Sequence, residues 1–412
     1  MSGGSHKSDP SVEEVLDIDS NSEAHSNGEE AAGSENVGGT ATVPATAQKE
    51  PKIHRYLKYI CKLKASDLHF KSNARVHIRH KGHLKPVNEP PLTPQQVEDI
   101  WFEIMNEHQR KQLATSGASD FAYQLGEGDR FRVNIFRQRG TLSVAARRVN
   151  ADILDFSQLH LPESMFRITE YHQGLVLLAG ITGSGKSTTI AAALDWVNQT
   201  RACHIVTIED PIEYLFKDKK SLVNQREVHV DVQNFQAALK YLMRQDPDVV
   251  LVGEMRDEET FMAALNAAET GHLVFGTIHA SGAAQTIGRV LDLVSEGSRE
   301  LIRQTMVFNL QAIICQKLLP SIKPGVYRVP AVEIMFANST IRKLIDEKRD
   351  DEIPKVIRAC EAEGMMDMNS CLKRLVDEEY IETDVAYAAS PNPQELKMRL
   401  KGISSGGGGI LG

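Results

Sequence analysis

The sequence predicts an α/β protein in which helices cover both faces of a parallel sheet, with a small α+β domain ahead of it and a helical region behind. Three observations carry that reading. Residues 175–179 form a continuous apolar run, the mark of a strand buried on both faces of a parallel sheet. Comparable runs recur at residues 204–209, 249–253 and 273–278. Helix-patterned segments separate them, and strands that alternate with helices imply right-handed crossovers and a parallel sheet.

Taken in order, residues 1–50 hold no Phe, Trp or Tyr and carry ten acids against two lysines. Such a segment cannot bury enough apolar surface to offset its ordering entropy, so a disordered acidic tail is expected. Residues 12–18 allow a short acidic amphipathic turn as the alternative to a solvated tail. An N-terminal α+β domain is expected over 51–150. Tyr56, Leu57, Ile60 and Cys61 fall at helical spacing, while Leu68, Phe70, Val76 and Ile78 alternate as half-buried strands do. Thr93-Pro94-Gln95-Gln96 is a helix start with cap, first-turn proline and capping-box glutamine. Val97, Ile100, Trp101, Ile104 and Met105 follow on one face, and Gly117 ends the pattern. Two alternating runs, 130–136 and 142–149, meet at a Gly140 turn.

Residues 151–173 read as a linker to a nucleotide-binding domain over 174–320. There Phe235, Ala238, Leu239, Leu242 and Met243 form a helix face, and Asp257 caps a helix that Gly271 stops. Beyond Gly297 the chain reads as mainly helical, giving a C-terminal helical region over 321–402 whose clearest stripe is Met368, Cys371, Leu372, Leu375 and Val376. The glycines near the end make 403–412 a flexible terminus.

The strand at 175–179 runs into Gly180-x-x-x-x-Gly185-Lys186-Ser187, and a helix rich in Ala and Leu follows. A strand, a glycine loop and a helix N-terminus make an anion site. Glycines let backbone N–H groups turn inward, the helix dipole adds partial positive charge, and the lysine reaches the outer phosphates. Gly180, Thr182, Gly183, Ser184, Gly185, Lys186, Ser187 and Thr188 are therefore the candidate nucleotide-binding residues for ATP or GTP. Ser187 is the candidate Mg²⁺ ligand.

Ligands of open parallel sheets sit at the carboxyl ends of the strands. Three strand ends deliver polar groups there: Glu209-Asp210-Pro211-Ile212-Glu213, Gly253-Glu254-Met255-Arg256-Asp257, and His279. A carboxylate beside the γ-phosphate can position Mg²⁺ or orient the attacking water. His279 reads as a γ-phosphate sensor or an interface hydrogen bonder. His272, at the other end of its strand, reads as structural rather than as half of a metal pair.

Composition narrows the class. The net charge of −8 sits in the first 50 residues, which leaves 45 basic and 45 acidic groups in the body. A neutral body lacks the basic field of a nucleic-acid binder, so no nucleic-acid partner is expected. Five cysteines with no Cys-x-x-Cys pair fit a reduced cytosolic protein. The N-terminus has no signal-peptide pattern. The apolar runs fall far short of the roughly 18 residues that a transmembrane helix needs.

The run from Met243 to Asp257, Met-Arg-Gln-Asp-Pro-Asp-Val-Val-Leu-Val-Gly-Glu-Met-Arg-Asp, closely resembles the signature of the secretion-superfamily ATPases that drive type II secretion and type IV pili. Thr207-Ile-Glu-Asp-Pro-Ile-Glu213 resembles their aspartate box. Ala267-Ala-Glu-Thr-Gly-His-Leu-Val-Phe-Gly-Thr-Ile-His279 resembles their histidine box. Within the superfamily the resemblance points to the PilT/PilU branch of pilus retraction ATPases. It rests on Ala65-Ser-Asp-Leu-His69, Arg130-Phe-Arg-Val-Asn134, Asn224-Gln-Arg-Glu-Val228 and Gly364-Met-Met-Asp-Met368, and it covers residues 53–401.

The resemblance implies a RecA-like ATPase domain behind a PAS-like one. It also implies a cytoplasmic homohexameric ATPase motor, peripheral at the inner membrane, that uses ATP and Mg²⁺ to withdraw pilin through a membrane platform protein. Glu209 would be the catalytic glutamate and Glu254 the Walker B acid. Arg132 and Arg147 would reach the γ-phosphate. Two departures stand out. Ile181 replaces the proline usual after the first loop glycine. The C-terminal segment of retraction motors is kept in part, as Thr340-Ile-Arg-Lys-Leu-Ile-Asp-Glu347, which leaves open action beside a PilT/PilU paralogue. Pilus-assembly or type II secretion ATPases, a nucleic-acid ring motor and a non-hydrolysing ATP sensor are the alternatives.

Overall fold

The computed structural model describes residues 50–402 apart from 81, 127–128 and 150–151. The expected turn at 12–18, the rest of the acidic tail up to 49 and the end at 403–412 lie outside the described residues. The chain divides into two compact units, residues 1–151 and 152–412.

The first unit is a six-stranded antiparallel sheet with helices against one face. Its strands are β1 (Asp67–Lys71), β2 (His77–His80), β3 (His83–Pro86), β4 (Ala118–Gln124), β5 (Arg130–Gln138) and β6 (Thr141–Val149), in the order β3-β2-β1-β6-β5-β4. Helix Ile53–Lys62 buries Tyr56, Leu57 and Ile60 against it. The capping box of Thr93 and Gln96 starts helix Pro94–Phe102. That helix stops short of Ile104 and Met105, because a second capping box, Asn106 with Gln109, starts a new helix at Glu107 that Gly117 closes in the left-handed conformation. Phe70 sits edge-on between Tyr56 and Trp101, at 4.9 and 5.4 Å. Arg139 and Gly140, both at positive φ, make the tight β5–β6 turn. Leu68, Val133, Val144 and Ala146 face the core, so their neighbours Asp67, Arg132 and Arg147 take the other face.

The second unit holds a seven-stranded sheet in the order β13-β12-β7-β11-β10-β8-β9. Its strands are β7 (Gly174–Ala179), β8 (His204–Glu209), β9 (Leu222–Glu227), β10 (Val249–Val252), β11 (Leu273–Ile278), β12 (Leu310–Pro320) and β13 (Arg328–Phe336). All neighbours pair parallel except β12 with β13. Every residue of β7, β10 and β11 is buried, as the apolar runs predict.

Three features differ from the sequence reading. Residues 152–173, expected as a linker, send Phe156, Leu161, Met165 and Ile168 into the core of this unit. β9 has no apolar run, because it is an edge strand with a single buried residue among its six. The region beyond Gly297 contains the β12–β13 hairpin among its helices. Gln311, Gln316 and Lys317 interrupt the apolar pattern of β12, whose place is set by pairing with β7 rather than by its own periodicity.

Candidate nucleotide site

β7 delivers Gly180 into the glycine loop, and helix Lys186–Thr200 begins directly after Gly185, which is left-handed at φ 89°. Packing dictates two of the glycines. A Cβ on Gly180 would stand 2.5 Å from both Gln316 O and Ser184 Oγ, and one on Gly185 would stand 2.7 Å from Gln316 Nε2. Gly183, at φ 78°, has open space beside it. Ile181, Thr182 and Gly183 form an exposed crest, whereas Ser184 is buried and Lys186, Ser187 and Thr188 are half-buried.

Lys186 Nζ donates to Gly180 O at 2.8 Å and Ile181 O at 3.1 Å. The ammonium thus lies folded into the loop that would hold phosphate. Burial holds its pKa below the ordinary lysine value. Thr188 Oγ1 and Tyr214 OH lie 2.8 Å apart, which ties the first turn of the helix to the loop after β8.

The sheet order places β11 between the P-loop strand β7 and β10, with β8 beyond, so the carboxyl ends of four parallel strands line up. Glu209 ends β8 and is buried. Its Oε1 accepts from Thr207 Oγ1 at 2.7 Å and from Gln225 Nε2 at 3.2 Å. Burial pushes its pKa up to about 7, which is where a general base is most useful. Glu254 lies just beyond β10, and His279 just beyond β11. The structure joins them: His279 Nε2 is 2.8 Å from Glu254 Oε1, and Arg256 Nη2 donates to Glu254 Oε2 at 2.6 Å. The bond from Arg256, with the nearby His279, holds the Glu254 carboxyl below the usual carboxylate range. One carboxyl is therefore kept ionised and the other poised, within a site built on one sheet edge. His272 Nδ1 instead lies 2.9 Å from Ala267 O, at the far end of β11.

A protein-family profile described as "Type II/IV secretion system protein" matches residues 44–385. The chain belongs to that family. Among its relatives, the type IV pilus retractation ATPase PilT of Pseudomonas aeruginosa is 42% identical over 344 residues, spanning 84% of this chain and 99% of its own. The type IV pilus ATPase PilU of the same organism is 31% identical over 350 residues, spanning 85% and 91%. A crystal structure of the pilus retraction motor PilT with bound ADP matches at a TM-score of 0.78 and 43% identity, covering 84% of this chain and 99% of that one. As a secretion-family ATPase, the chain binds nucleotide and hydrolyses ATP.

The two arginines expected to act at the secretion ATPase site lie in the first unit. Arg132 on β5 and Arg147 on β6 are directly opposite each other. Like charges so placed destabilise a sheet, and both side chains are exposed. Asp67 on β1 pairs with Arg147 on one side and Arg79 on the other. It accepts from Arg147 Nε at 2.8 Å, which leaves the terminal nitrogens of a side chain that is 72% exposed turned outward. Burial works against the Asp67 carboxylate, but the bonds from Arg147 and Ser66 outweigh it and lower its pKa.

The sequence reading missed four residues of this secretion ATPase site. Arg256 lies inside a motif given above without being singled out, and Tyr214 directly follows the one that ends at Glu213. Gln225 lies inside the Asn224–Val228 segment given above, without a role assigned to it, on a stretch not read as a strand. Gln316 comes from β12, where Cys315 pairs with Ala179 and so sets Gln316 beside the loop. Its Nε2 donates to Ser184 O at 2.8 Å, and its Oε1 accepts from Thr189 Oγ1 at 2.8 Å. A glutamine in a strand sends no motif signal; only the register reveals it.

Proposed function

We propose that this chain is the ATPase motor of type IV pilus retraction, working as a cytoplasmic homohexamer at the inner membrane. The observation that carries the reading is the match to PilT along 99% of that protein, in sequence and in structure alike, against the lower identity to PilU.

The residues present fit ATP with Mg²⁺. The loop crest is open, Gly183 has free space beside it, and Gly180 and Gly185 let the loop close against Gln316 with no side chain between. Lys186 would exchange its two loop carbonyls for phosphate oxygens, and Ser187 would hold Mg²⁺, which would supply charge neutralisation. Thr182, Gly183, Ser184 and Thr188 complete the cradle. Glu209 accepts the proton of the attacking water. Glu254, kept ionised by Arg256, acts as the Walker B acid, and His279 reads the state of Glu254. Arg132 and Arg147 would bring cationic charge to a neighbouring protomer's γ-phosphate, so its loss on hydrolysis would release that inter-protomer contact. Partners in this reading are the other five protomers, a membrane platform protein, pilin through that platform, and a PilT/PilU paralogue. Nucleic acid has no part in it.

A clean deletion scored for pilus number and surface motility tests the direction of work. Excess immobile pili are expected. Bare cells would assign the chain to pilus assembly, and DNA-stimulated turnover of the purified protein would assign it to a nucleic-acid motor.

A further inference from the structure

Both donors of the Gln225 amide are engaged, and its oxygen accepts one bond. Its Oε1 accepts from Phe216 N at 2.9 Å, and its Nε2 donates to Tyr214 O at 2.8 Å and to Glu209 Oε1 at 3.2 Å. The Phe216 bond fixes the orientation of the amide. Turned over, the amide would set its oxygen against a carbonyl and a carboxylate together. Register explains the reach. Gln225 pairs with Thr207 across β8 and β9, and Glu209, two residues further on, shares their face.

The two donors land on the same oxygen. Thr207 and Gln225 both donate to Oε1 of Glu209, whereas among the described residues the hydrogen bond to Oε2 is the long one from Glu213 N, at 3.5 Å. A carboxyl held this way cannot spin, and it keeps one oxygen for a proton. Tyr214, whose carbonyl Gln225 holds, also meets Thr188 of the P-loop helix through its hydroxyl.

We propose that Gln225 is a positioning residue for ATP hydrolysis: it anchors Oε1 of Glu209, leaves Oε2 as the proton-accepting oxygen, and fixes that carboxyl relative to the P-loop helix. The inference rests on Glu209 being the base. Around that carboxyl, Glu213 acts directly and disfavours its ionisation. Lys186 on the P-loop helix faces Glu254 and Glu213. Glu227, opposite Glu209 on β9, is itself engaged by Ile212 N at 3.2 Å. Gln225 adds no charge of its own, so its effect on the base is through the hydrogen bond, which favours the carboxylate.

The test is the pH dependence of kcat/KM for ATP in the full-length protein, with ADP affinity measured alongside. Gln225→Met removes both donors at nearly the same volume. The acid limb should move up by about one pH unit, the effect of losing one hydrogen bond to a charged group. The alkaline plateau should stay within a few-fold and ADP affinity should be unchanged. Gln225→Glu, which keeps the shape and the Phe216 bond, should move the limb further by setting a second carboxylate beside the first, and it carries the test if the methionine variant does not fold. A rate lowered equally at every pH, with the limb unmoved, would reduce Gln225 to a loop prop and overturn the inference. Wild-type turnover in Glu209→Gln would overturn the base assignment instead. An inactive Glu209→Gln beside an unmoved limb in Gln225→Met overturns this inference alone.

Discussion

Lys186 and Glu254 lie close enough to feel each other's charge, and each is already held by partners of its own. Lys186 is bonded to loop carbonyls, and Glu254 to Arg256 and His279. Neither Lys186→Ala nor Glu254→Ala removes core packing, so both variants should keep the wild-type melting temperature and lose turnover. A variant with wild-type ATPase activity would remove its residue from the mechanism. Glu209 carries a different expectation. Its pKa rises from 4.5 to about 7 on folding because the carboxyl is buried. The folded state then holds the proton more tightly than the unfolded one, so ionisation opposes folding. That cost is absent below the unfolded value, grows as pH rises toward 7, and is constant above. Glu209→Gln should therefore be inactive yet more stable at pH 8, by about 3 kcal/mol, with the gain vanishing near pH 4. Melting curves at the two pH values check it. At this scale much was legible in the sequence. The loop, Glu209, Glu254 and His279 announced themselves at the ends of apolar strands, where a polar residue has to be explained. That Glu254 and His279 touch was not legible, since nothing in either motif refers to the other.

Strand β12 shows what a whole element adds. It pairs with β7 and so brings Gln316 against the nucleotide loop, where one amide bridges Ser184 O and Thr189 Oγ1. Gln316→Ala would leave both groups buried without that partner, at about 2 kcal/mol. It should also loosen the loop, so nucleotide affinity should fall by about tenfold as the loop loses its fixed shape. Calorimetric titration with ADP beside a denaturant melt measures both; unchanged affinity would make the amide a core contact alone. The strand escaped the sequence reading because its polar residues broke the apolar run and helical patterns surround it. The helix starts were read well, because the Thr93 and Asp257 caps are local chemistry within a single turn.

The molecule as a whole has an unusual charge arrangement on its first unit. Three arginines, Arg79, Arg147 and Arg132, stand in one row across the sheet with Asp67 as the acid among them. If Arg132 and Arg147 serve a neighbouring protomer's nucleotide in a ring, then Lys186→Ala and Arg147→Ala subunits are defective on opposite sides of the interface. Each alone should be inactive. An equal mixture should recover activity at about a quarter of the interfaces, the fraction that joins an intact loop to an intact arginine. No recovery in mixed rings would place the arginines away from the neighbour's site.

By itself the amino-acid sequence determined the parallel-sheet ATPase domain, an α+β domain before it, and the glycine loop and strand-end acids proposed to carry the chemistry. Those are properties of short stretches, where burial on two faces, a glycine at positive φ or a capped helix start leaves its mark within a few residues. The tertiary structure alone decided that β12 and β9 join the sheet at separate places. It also decided that Gln316 and Gln225 thereby reach the loop and Glu209, and that side chains from 152–173 belong to the second unit's core. Strand pairing sets register between segments far apart in the chain, and a side chain placed by that register needs no pattern of its own.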